Sequence, residues 1–214
     1  MIKPKTYEAT EYLVPCRSIT WEVVKSAYEP QLRPELTIPR PTMSSGNVNK
    51  VLTVLRDITT AEGSVFDLRK PPESRQLSSI HALLREIVLI AREDTLHLIA
   101  NKRLASRDII AEGVAEFVVR SGNHINLVVI TAKRGDIYQA HPEILLLMDV
   151  AIAINEENQE PSDGILGVVT DYDRWIYSKR SLGRIDFVRD AIDPRRHDTD
   201  VERVAERLHA MLEV

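Results

Sequence analysis

Gly113-Val114-Ala115-Glu116-Phe117-Val118-Val119, a polar turn through Ser121-Gly122-Asn123, and Ile125-Asn126-Leu127-Val128-Val129-Ile130-Thr131-Ala132-Lys133 form the stretch on which the fold turns. Both arms are rich in β-branched residues, and Ser-Gly-Asn is turn chemistry. The stretch therefore predicts a hairpin of strands over 113–120 and 125–133. The first strand carries an acid, Glu116, and the second ends on Lys133. Residues two apart on a strand share a face. Val114, Glu116 and Val118 are thus expected on one face, and Leu127, Val129, Thr131 and Lys133 on one face of the next strand, which brings Glu116 towards Thr131 or Lys133.

Upstream, Ile80, Leu83, Leu84, Ile87, Val88 and Ala91 make one apolar stripe on a helix expected to start at Ser78 or Ser79. Thr95–Leu104 reads as a strand. Downstream, a helix is expected from near Gln139, with Pro142 in its first turn. Its body from Ile144 to Ile154 is apolar nearly all round, which predicts deep burial. Residues 155–164 read as an acidic loop, 164–172 and 174–179 as short strands around Asp171-Tyr172-Asp173, and 184–188 as one more strand. Helix, three strands, buried helix, strand is an α/β order, and a mixed central sheet flanked by helices satisfies it.

Residues 1–75 differ. Prolines at 4, 15, 30, 34, 39, 41, 71 and 72 cut the region into pieces. Helices are expected over 19–28 and 47–59, with a loop over 29–46. This segment reads as a helical, loop-rich N-terminal extension, 76–190 as the domain, and 191–214 as an amphipathic helix packed on it, through Val201, Val204, Ala205, Leu208, Met211 and Leu212.

Composition bounds the function. The chain has 214 residues, 43% hydrophobic and 28% charged, with a net charge of −4. It has no bulk attraction for nucleic acid, so any phosphate-binding surface must be a local patch. One cysteine, Cys16, excludes an internal disulfide framework and a thiolate zinc site. No uninterrupted apolar run approaches ~20 residues, and no apolar signal core follows Met1–Lys5, so an intracellular protein without a membrane is expected, cytoplasmic or nuclear. Gly-x-Gly-x-x-Gly, P-loop and His-Glu-x-x-His motifs are absent.

Converging carboxylates hold Mg²⁺ or Mn²⁺, and a neighbouring lysine stabilises charge developing on a phosphate. Residues 78–180 resemble the PD-(D/E)XK nuclease superfamily, the restriction-endonuclease-like fold. Glu86 falls in the first helix, Glu116 matches the acid of the second strand, and Thr131-Ala132-Lys133 matches Glu-X-Lys without its acid. Gln139 is similar to a glutamine found at the start of the next helix in several members. Gly167 to Tyr177 resembles a hairpin of type I restriction subunits and of nuclease-like domains in Crinkler-type secreted effectors.

The resemblance implies Glu116, Thr131, Lys133 and Gln139 as catalytic positions and Glu86 and Glu116 as ligands for Mg²⁺ or Mn²⁺. It also allows delivery as an effector. Asp108 and Glu112 lie near Glu116 in sequence and stand as replacements for the missing acid. Lys102, Arg103, Lys133, Arg134, Lys179 and Arg180 flank the predicted sheet as a candidate basic patch for DNA or RNA. Trp175 and Tyr177 alternate on a strand and read as packing. Three functions fit: a nuclease-like domain with a degenerate metal site that binds nucleic acid, a non-enzymatic module for a protein partner, and an active Mg²⁺-dependent nuclease with a relocated acid.

Overall fold

The computed structural model describes residues 13–34, 36, 38, 43–66, 73–91, 95–160, 164–181 and 183–213. The Met1–Lys5 reading and the prolines at 4, 39, 41, 71 and 72 lie outside them. The fold is a mixed α/β sheet flanked by helices.

The predicted hairpin forms as β4 (Ala111–Ser121) and β5 (His124–Thr131), paired antiparallel. β3 (Leu96–Ser106) lies antiparallel on the other side of β4. α4 (Ile137–Glu157) then crosses over and delivers β6 (Ile165–Thr170) parallel to β5. β7 (Arg174–Ser181) and β8 (Arg184–Ala191) extend the sheet antiparallel. Two short strands absent from the sequence reading complete it. β1 (Val14–Pro15) runs parallel to the start of β4, and β2 (Leu32–Arg33) parallel to β8. A two-residue strand has no detectable period, so only its backbone partner defines it.

The central strands are buried on both faces. Leu127 and Val129 pack on one side, Val128 and Ile130 on the other. The first side is covered by α2 (Ser45–Glu62), α3 (Glu73–Ala91) and α5 (His197–Leu212). The second is covered by α4, with α1 (Trp21–Tyr28) outside it. Leu145, Leu147 and Met148 are fully buried, as the apolar circumference of α4 required, and Ile152 is half-buried. By length and composition alone α4 would also cross a bilayer, but its apolar surface is spent on the sheet. At Gly167 the helix comes so close that a Cβ would lie 2.4 Å from Met148 Sδ.

Pro142, expected in the first turn, sits further inside the helix, because α4 already begins at Ile137. It has no N–H, so the Tyr138 carbonyl loses its helical donor. The Trp21 indole Nε1–H donates to that oxygen at 3.2 Å. Trp21 also meets His141 edge-on, with centroids 5.5 Å apart. The helix defect is therefore the docking point for α1. Trp175 and Tyr177 are core residues, stacked at 6.2 Å, as the packing reading expected.

The strand alternation of β4 fails beside Glu116. Ala115 packs with the α4-side cluster, and Phe117 with the α3-side cluster. Two residues apart, they should share a face. Opposite Glu116 stands Asn101, in the left-handed region at φ 52°, and the 101–116 pair is missing from an otherwise regular ladder. The irregularity re-aims the strand at Glu116, which is what such kinks do beside functional sites. Val114, opposite in sense to Gly113 and Ala115, consequently does not share a face with Glu116 and Val118.

Candidate functional site

A cleft of about 500 Å³ opens at the C-terminal ends of β5 and β6, between α3 and α4. Glu116, Thr131, Lys133 and Gln139, the four expected catalytic positions, all line it. Glu116 does approach Thr131, but through the backbone: the Thr131 N–H donates to Glu116 Oε2 at 2.9 Å.

Glu86 does not line the cleft, in contrast to the expectation of a metal ligand there. α3 contributes its N-terminal residues Glu73, Gln76, Leu77 and Ile80 instead. Glu86 lies six residues beyond Ile80, about 9 Å further along the helix axis. α3 begins at Glu73, earlier than the Ser78 or Ser79 expected, because the cap signals at 78 and 79 fall inside a helix whose apolar stripe is already in step. Glu112 also lies apart, paired with Arg103 on the neighbouring strand. Asp108 is in the exposed turn between β3 and β4.

The acid that joins Glu116 is Glu143, on α4. Arg17, in the 3-10 turn Cys16–Ser18, sits between them. Its Nη2 donates to Glu116 Oε1 at 3.0 Å, and its Nε lies 3.6 Å from Glu143 Oε1. Glu143 Oε1 is buried and makes no hydrogen bond among the described residues. Burial drives the Glu143 carboxyl up from 4.5 to about 7; Arg17 opposes the shift and the Glu116 charge adds to it. Glu116 is also raised by burial, against the pull of the Thr131 N–H and Arg17. The Glu116 charge thus raises the cost of charging Glu143.

Glu143 follows Gln139 by four residues, one helical turn, so both project from one side of α4. That spacing from a residue already singled out was the available signal. Nothing in the sequence flagged Arg17, whose turn is positioned by β1 pairing with β4.

Asp171 fixes the floor. It is buried, and its two oxygens accept from Gly135 N at 3.1 Å and Arg174 N at 2.8 Å. Gln76 Nε2 donates to the Asp171 carbonyl at 3.1 Å. The loops after β5 and β6 and the start of α3 are tied together there.

Among the described residues, five carboxylates, Glu73, Glu116, Asp136, Glu143 and Asp171, line the cleft against Arg17 and Lys133. Phosphate would be repelled unless a cation bridged it to the acids. Mg²⁺ is commonly held by one or two carboxylates with waters and substrate phosphate, so the Glu116–Glu143 pair fits Mg²⁺ or Mn²⁺. Among the described residues, no group of three or more His, Cys, Asp or Glu side chains converges.

The basic residues do not form one patch. Strand register places Lys102 and Arg103 opposite Ala115 and Val114, near the cleft end. Lys179 and Arg180 lie opposite Leu166 and Ile165, at the far end of β6. Arg180 is also engaged there: its Nε donates to Asp149 Oδ1 at 2.8 Å, another of its nitrogens bonds Gln31, and it lies over the Tyr28 ring. Arg134 pairs with Asp173 and lies over Phe66.

No family model and no curated protein matches the chain. Among solved structures, a chain of the "cryoEM structure DrdV-DNA complex" is similar at a TM-score of 0.43 and 16% identity, over 78% of this chain. The present chain spans 14% of the length of that one.

Proposed function

We propose that this chain binds a nucleic-acid phosphodiester in the cleft and acts on it as a divalent-metal-dependent nuclease whose second acid is Glu143. The observation that carries this reading is the meeting of Glu143, from α4, with Glu116, from β4, around a single counter-cation. Glu143 supplies the charge that Thr131 lacks. Glu116 and Glu143 would hold Mg²⁺ or Mn²⁺, which supplies charge neutralisation and polarisation of the phosphate. Lys133, exposed at the cleft rim, faces the phosphate and balances charge that develops on it. Gln139 offers an amide for orienting the substrate. The Thr131 N–H holds Glu116 in place.

Mn²⁺ binding followed by electron paramagnetic resonance, together with cleavage of labelled DNA and RNA, tests this. E143Q and E116Q should each weaken Mn²⁺ binding at least tenfold and abolish cleavage. K133A should leave Mn²⁺ binding intact and slow cleavage by about 10²-fold or more. Mn²⁺ binding unaffected by E143Q would overturn the assignment.

The Arg17 contacts favour a second reading: a binding cleft without hydrolysis, in which the guanidinium is the permanent cation. Under that reading the wild type binds no Mn²⁺, and R17A, freed of its competitor, does.

A further inference from the structure

A second concavity, of about 430 Å³, lies on the other side of the first turn of α4. Ile137 and Tyr138 line it, whereas Asp136, Gln139 and Ala140 face the acidic cleft. The turn is the ridge between the two. Arg174 of β7 and Arg189 of β8 line the second concavity, and both are exposed. Arg189 pairs in register with Ile176, two residues from Arg174, so the two arginines project from one face as diagonal neighbours, about 7–8 Å apart at Cα.

Other arginines at this end of the sheet are spent. Arg203 bridges Asp190 and Asp200, Arg207 reaches Asp190, and Arg134 holds Asp173. Among the described residues, no such ion pair engages Arg174 or Arg189. Arg189 is instead braced by rings, its guanidinium carbon 5.0 Å from the Tyr138 centroid and 5.1 Å from that of Phe187. A guanidinium held on aromatic faces keeps its edge and its hydrogen-bond donors for an outside acceptor.

We infer that Arg174 and Arg189 form a phosphate track that carries one nucleic-acid strand from the acidic cleft over the α4 ridge. The inference rests on the reading of that cleft as a phosphodiester site. Thr131, Thr170, Trp175 and Asp190 lie in register across four neighbouring strands. Three strand spacings put the β8 end of the track about 14 Å from the cleft. At about 3.4 Å per nucleotide along one strand, that is roughly four nucleotides. The track supplies the attraction that the acidic cleft and the net charge of −4 withhold.

Fluorescence anisotropy of the full chain in EDTA, with labelled 12-nucleotide single strands of DNA and RNA and a 12-base-pair duplex, tests this without the metal. The double variant R174Q/R189Q should bind at least tenfold more weakly at low salt, with a salt slope lower by about 1.4–1.8, the loss of two phosphate contacts. R174K/R189K should keep the slope. K179A, at the far end of the sheet, should change neither.

Wild-type slope and affinity in R174Q/R189Q would overturn the track, as would an equal loss in K179A or no wild-type binding at low salt. Mn²⁺ binding separates the two claims. If Mn²⁺ binds and R174Q/R189Q is silent, the track fails and the cleft stands. If Mn²⁺ does not bind but R174Q/R189Q weakens nucleic acid, the cleft's metal reading fails and the track stands.

Discussion

Glu143 and His141 sit two residues apart on α4 and are perturbed in opposite senses. The Glu143 carboxyl is raised from 4.5 to about 7, first by burial. The folded protein therefore holds a proton that the unfolded chain releases. The contribution of Glu143 to stability is present below about pH 4.5 and is lost as pH rises through about 7. E143Q should melt with the wild type at pH 4 and above it at pH 8, as checked by thermal unfolding at the two values. His141 is lowered from 6.5 to about 4, by burial and then by Arg189. Its contribution is present above pH 6.5 and lost as pH falls through about 4. The two profiles overlap and partly cancel, so the comparison with E143Q is informative where the wild-type curve alone is not. Metal binding should weaken as pH drops below about 7, because the proton and the cation compete for one carboxylate.

At the scale of the element, α4 combines a defect with a load. Pro142 leaves the Tyr138 carbonyl to Trp21. Trp21→Phe keeps an aromatic ring but loses the indole donor, and should cost about 1 kcal/mol or more in urea unfolding. In a P142A background the restored helical N–H takes over that carbonyl, so the same change should cost less; equal cost in both backgrounds would detach α1 from the defect. Leu147, fully buried in the α4-side core, is the load. Leu147→Asp should cost ~3 kcal/mol or more by burying an unpaired charge. Normal thermal stability of that variant would make α4 a surface element, against its position in the fold.

For the whole molecule, residues 13–34 are built into the sheet and into the α4-side core rather than appended to them. β1 and β2 add to β4 and β8, and Cys16 and Tyr28 are buried in that core. The Tyr28 hydroxyl donates to Asp149 at 2.7 Å, and the same carboxylate takes Arg180. Deleting residues 1–33 should uncover one side of α4, lower amide protection along it in hydrogen exchange, and remove Arg17 from the acids. Undiminished protection in α4 would show that the segment only rests on the surface.

Periodicity reports how each segment partitions between water and the interior, and that is local information. It was enough for the hairpin at Glu116, the burial of Leu145, Leu147 and Met148, and the order of α3 to β6. Gln139 was singled out by the family resemblance and not by periodicity. Periodicity was not enough for contacts between segments far apart in the chain. The meeting of Glu143 with Glu116 depends on how α4 lies across the sheet, which it approaches closely at Gly167. Arg17 reaches them only because two residues of β1 find backbone partners on β4. The six basic residues that flanked the predicted sheet were assigned to ends by strand register, which separates Lys179 and Arg180 from Lys133. Hydrophobic patterning selected the elements by themselves, whereas packing angle and register, which no single segment encodes, decided which charges share a site.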